Sequence, residues 1–109
     1  MRHSLTWMML ACLIGLLAGT AVAEEIEVTQ RNKEFLPGTI TIAPGDTIVF
    51  QNEDPITHNM FSRSEGYQFN LKMQKPGQED IIVFEQPGDV TVRCAIHPTM
   101  KLTVHVEDD

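Results

Sequence analysis

The strongest constraint on how this chain can fold is a repeated punctuation of Pro-Gly turns between short alternating apolar runs. Turn signals fall at Pro37-Gly38, Pro44-Gly45-Asp46, Pro76-Gly77 and Pro87-Gly88-Asp89, where proline fixes φ and glycine admits left-handed backbone. Between them apolar and polar residues alternate, as they do on strands with one buried face: Ile26/Val28, Ile40/Ile42, Ile48/Phe50, Ile81-Ile82-Val83-Phe84, Val90/Val92/Cys94 and Leu102/Val104/Val106. No helical period persists over a useful length. Many short strands so spaced predict an all-β sandwich or small barrel. From Ser62 to Asp80 the pattern is less regular, and Phe69, Leu71 and Met73 fit a strand or an ordered loop equally well.

The first residues are of a different kind. Arg2 and His3 precede an apolar run from Trp7 to Leu17, and small residues follow to Ala21-Val22-Ala23. This is the layout of a secretory signal peptide with an A-x-A cleavage site, too short in its apolar part for a stable membrane anchor. Cys12 does not read as a lipidation site, because half of the apolar run would follow the cut. Removal of 1–23 leaves 24–109, enough for one small domain. A periplasmic protein is therefore expected. That part carries seven Lys and Arg against fifteen Asp and Glu, a net charge near −8. Such a balance argues against nucleic acid and favours a basic partner electrostatically. Glu53 and Asp54, just before His58, are the expected steering charges.

Cleavage also leaves Cys94 as the single cysteine, so no internal disulfide is possible, and a thiol outside the reducing cytosol needs protection. By alternation Cys94 shares the core face of its strand with Val90 and Val92, while Thr91 and Arg93 face outward. His97 and Met100 follow in Cys-Ala-Ile-His-Pro-Thr-Met. Thiolate, imidazole and thioether on one seven-residue loop form a soft ligand set suited to copper. His58, after a turn-rich stretch at the end of the Ile48/Phe50 strand, is the further ligand that the loop lacks. Two imidazoles and one thiolate in a trigonal array with a weak axial methionine is the blue-copper geometry. Zinc is the metal alternative, and methionine disfavours it. A Cys-His nucleophile pair is the enzyme alternative, but both residues share one loop and no oxyanion-hole motif accompanies them. Met60 reads as core and His105 as a surface histidine.

From Phe35 to Val106 these residues resemble the cupredoxins, the type 1 copper proteins. The likeness runs through Pro37-Gly38-Thr39-Ile40-Thr41-Ile42, Gly45 to Phe50, Asn52, His58-Asn59, Phe84 to Gly88 and Cys94 to Met100. It is plastocyanin-like, and the spacing Cys-x-x-His-Pro-x-Met is that of the amicyanins. The resemblance implies a Greek-key β-sandwich with one copper ion near one end, cycling between Cu(I) and Cu(II) and held by His58, Cys94, His97 and Met100. It also implies that Asn59 ties the two ligand loops together. Two positions depart from the pattern: Ala95 stands where many relatives have Ser or Thr, and Ile96 where amicyanins have proline, which adds a backbone N–H within possible reach of the Cys94 sulfur.

The expected function is that of a non-enzymatic, monomeric, soluble one-electron carrier. Its partners would be redox proteins such as a basic c-type cytochrome or a dehydrogenase, docking at the His97 edge among Ile56, Ile96 and Pro98. The alternative is a periplasmic copper-binding protein for tolerance, storage or delivery.

Overall fold

The computed structural model describes residues 22–108, so the leader read at 1–23 lies almost wholly outside the described residues. These residues form nine strands: β1 Glu25–Arg31, β2 Glu34–Leu36, β3 Thr39–Ile42, β4 Asp46–Asn52, β5 Met60–Ser64, β6 Tyr67–Asn70, β7 Glu79–Phe84, β8 Gly88–Cys94 and β9 Lys101–Val106. One sheet has the order β2-β1-β4-β7 and the other β3-β9-β8-β5-β6. The pairs β1·β4 and β3·β9 are parallel and the rest antiparallel. Consecutive strands therefore often change sheets, which makes a Greek-key sandwich rather than a meander.

Alternation decides what each sheet buries. Val28, Ile48, Phe50 and Phe84 from the first sheet meet Met60, Val90, Val92, Leu102 and Val104 from the second, all fully buried. Each such side chain contributes about 1.5–3 kcal/mol on burial. In β7 only Ile82 and Phe84 turn inward, while Ile81 and Val83 remain exposed at 63% and 48%. The unbroken run Ile81 to Phe84 is thus half core and half surface.

The ambiguous stretch 62–80 resolves into a hairpin and a loop. β5 turns through Glu65-Gly66, with Gly66 at φ 80°, and returns as β6 in the register Phe61↔Asn70 and Ser62↔Phe69. Beyond Asn70 the chain leaves the sheet, and Gln74 meets His58 in an isolated bridge. Residues 53–59, after β4, and 95–100, between β8 and β9, then lie side by side at one end of the sandwich: Ala95 N–H donates to Asn59 O at 2.9 Å.

Candidate metal centre

The first loop is built by side chains that stand in for backbone partners. Asn52 ends β4, accepts from Asp54 N–H at 2.9 Å and donates to Ile56 O and Gln74 O at 2.9 and 3.1 Å. This Asx-type closure turns the chain back sharply. His58 then exchanges two backbone hydrogen bonds with Gln74, His58 N–H to Gln74 O at 3.0 Å and Gln74 N–H to His58 O at 2.7 Å. The Gln74 side chain is itself held, accepting from Gln30 Nε2 and donating to Phe50 O at 3.0 Å and Gln78 O at 3.2 Å. His58 is fully buried within this frame.

Asp54 sets the orientation of the ring. Its carboxylate is bonded to His58 Nε2 at 2.7 Å and accepts from the backbone N–H groups of Asn32 and Lys33 at 2.6 and 3.0 Å. Burial opposes ionisation of Asp54, but the bond to His58 and the two amides outweigh it, and the carboxyl is held below the usual range. An ionised acceptor at Nε2 keeps the proton there and leaves the Nδ1 lone pair free. Nδ1 faces Cys94 Sγ at 3.6 Å.

The second loop supplies the rest. Cys94 ends β8 on the core face, 1% exposed, as alternation predicts. His97 Nδ1 lies 3.9 Å from its sulfur, and the two imidazoles meet edge to face with centroids 5.2 Å apart. The ligand atoms of His58, Cys94 and His97 all lie within 4.8 Å of one another. Bonds of about 2.0–2.3 Å opening at about 110–120° place nitrogen and sulfur donors about 3.6–3.8 Å apart, close to the 3.6 and 3.9 Å between the Cys94 sulfur and the two imidazoles, so the three are placed to share one ion. Met100 is also buried, tied into the loop by its N–H to His97 O at 3.0 Å. A thioether from Met100 joined to two imidazoles and a thiolate would favour copper over zinc.

Several expectations are corrected here. Asp54 is not a surface steering charge, because it is buried beneath His58, and Glu53 is ion-paired with Arg31. The Asn59 side chain donates to Asn70 Oδ1 at 2.8 Å rather than across to the second loop; the loops are joined by the backbone of Asn59, whose N–H also donates to Cys94 Sγ at 3.3 Å. Among the described residues this is the one backbone donor directed at the sulfur; the extra N–H of Ile96 does not reach it. Met60 is core and His105 a surface residue, the latter bonded to Asp89 at 2.7 Å. Sequence reasoning missed Asp54 as the ring's partner, although a carboxylate four residues before a candidate ligand was the available signal. For Gln74 and Gln30 there was none.

A family described as copper binding proteins, plastocyanin/azurin family, matches residues 22–107. The methylamine utilization protein MauL of Methylorubrum extorquens is 33% identical over 87 residues, 79% of this chain and 76% of that protein. Among solved structures, amicyanin of Paracoccus versutus superposes with a TM-score of 0.70 at 26% identity, covering 83% of this chain and 88% of the other. A copper-containing nitrite reductase of Thermus scotoductus gives 0.73 at 26% identity over 84% of this chain, which spans only 24% of that enzyme.

Proposed function

The chain belongs to the plastocyanin/azurin family of copper-binding proteins, and from that premise we propose that it is an exported, monomeric one-electron carrier whose copper is held by His58, Cys94, His97 and Met100. Bound copper supplies the Cu(II)/Cu(I) couple. The protein's own contribution is to keep the ligands still. His58 is locked by Asp54 and Gln74, Cys94 by its strand and by Asn59 N–H, and both loops by the bond from Ala95 to Asn59. Preset donors have little to rearrange when charge changes, and that is the property a carrier needs.

The observation that carries the reading is this burial and fixation of His58 and Cys94 at 0% and 1% exposure. It also speaks against copper delivery, which requires ligands that a recipient can reach. His97 is the half-buried member, and exposed Ile96 and Pro98 flank it, so its edge is the natural contact for a redox partner. The names of the relatives, a methylamine utilization protein and amicyanin, make a dehydrogenase donor and a c-type cytochrome acceptor the partners to try first. Residues 1–23 are read as a signal peptide removed on export to the periplasm.

The test is to add Cu(II) to the purified protein and record the visible spectrum. An intense thiolate-to-copper charge-transfer band is expected. Weak d–d absorption alone, or tight zinc binding with copper excluded, would overturn the assignment.

A further inference from the structure

The net negative charge of the chain hides an opposite local field. Outward positions of β1 carry Glu25 and Glu27, and the other acids of the first sheet include Glu34 and Glu79. On the outer face of the second sheet, near its Cys94 end, the charged residues are Arg63 on β5, Arg93 on β8 and Lys101 on β9, all exposed. Among the described residues none of the three is ion-paired. Asp89 lies at the far end of that face, turned to His105, and Glu65, two residues beyond Arg63, is the one acid beside it among the described residues, in the β5–β6 turn.

Arg63 and Arg93 border a groove of about 590 Å³ that is also lined by Phe61, Asn70 and Pro98 and reaches Cys94, and Lys101 is paired in register with Arg93 on the next strand. Arg63 lies over the Phe61 ring, 5.3 Å from its centroid, and Arg93 donates to Pro98 O at 3.3 Å. Both guanidinium groups are thus held in place by neutral partners, with donors left over for an anion. Phe61, Arg93 and Lys101 stand in register on three adjacent strands, and Arg63 is two residues further along β5. Strand spacing and rise put the attachment points of Arg63 and Lys101 about 12 Å apart, wider than one small anion spans.

We propose that this groove, formed by the outer faces of β5, β6 and β8 beside Cys94, is a docking site for an acidic protein partner that sets carboxylates against Arg63, Arg93 and Lys101 and an apolar side chain against Phe61 and Pro98. It is distinct from the His97 edge, and its sign is opposite to what net charge predicts. Docking itself needs no metal; only its use for electron exchange rests on the reading above.

Poly-L-glutamate is the probe, added at low ionic strength to the ¹⁵N-labelled protein loaded with Cu(I), with poly-L-lysine as the control. Amide shifts are expected at Phe61, Arg63, Asn70, Arg93 and Lys101. They should be suppressed by salt and weakened about tenfold by Arg63→Gln together with Arg93→Gln, while Lys75→Gln changes nothing. Shifts centred on His97, undiminished binding by the double variant, or the same shifts with poly-L-lysine would overturn the proposal. So would benzoate filling the groove as tightly as the polymer, which would make it a small-ligand site. The titration is repeated without copper, so a failed blue spectrum would sink the carrier reading and leave this test standing.

Discussion

Replacing Asp54 by asparagine should weaken copper binding without touching a ligand. One carboxylate oxygen accepts from Asn32 N–H, and the other accepts from Lys33 N–H and is bonded to His58 Nε2. An amide offers a single oxygen. In its better orientation Asn keeps His58 and Lys33 and turns its NH2 against Asn32 N–H, formerly at 2.6 Å; in the other, two donors lose their acceptor. Each buried donor left unpaired costs about 1–3 kcal/mol, so the unfolding free energy of the metal-free protein should fall by about that amount. His58 also loses the anion that makes its Nδ1 a stronger ligand. Partners of this kind are worth about 10–100-fold in metal affinity, or about 1.4–2.7 kcal/mol, and Cu(II) should lose more than Cu(I), raising the potential. Competition against a chelator of known affinity, urea unfolding and voltammetry read the three quantities. A variant that loses stability yet binds copper within a factor of two of the parent would show that Asp54 serves only the fold.

Cys94→Ala should abolish the charge-transfer colour, whereas Met100→Leu should keep it and raise the potential, because a weak axial thioether favours Cu(II); an unchanged potential would remove Met100 from the ligand set. Asp46 tests the fold away from the metal. The backbone N–H groups of Glu24 and Ala43, each at 2.9 Å, hold its carboxyl below the usual range against a smaller opposing effect of burial. A depressed folded pKa contributes stability above the unfolded value, near 4, and loses it as pH falls through the folded value. Asp46→Asn should therefore destabilise by about 1–2 kcal/mol at neutral pH, with a gap that closes toward acid in urea titrations; a gap independent of pH would refute the cause. If the leader is cleaved after Ala23, Glu24 N becomes an α-ammonium, and a preparation carrying one extra residue there should then show a smaller gap.

The strands that carry the core and the loop from Cys94 to Met100 were legible in the chain because their signals are local. Alternation with period two places Val90, Val92 and Cys94 on one face whatever the sheet order, and a seven-residue loop keeps its ligands together by covalent reach alone. His58 was the candidate because it follows the turn-rich end of the Ile48/Phe50 strand, and the family likeness added the Greek-key topology. Other features depended on which strands become neighbours. The hairpin β5–β6 has weak turn chemistry, and its register is settled by pairing with β8. Asp54 and Glu53 are adjacent acids with the same local preference, yet one is buried under His58 and the other is paired to Arg31, because the β1–β2 turn lies over that loop and presents the amides of Asn32 and Lys33 to Asp54 alone. Gln74 meets His58 across sixteen positions of sequence, a contact no period encodes. Net charge, a sum over the chain, pointed to a basic partner; only the division of the strands between two sheets separates Arg63, Arg93 and Lys101 from the acids and gives the Cys94 side its own sign.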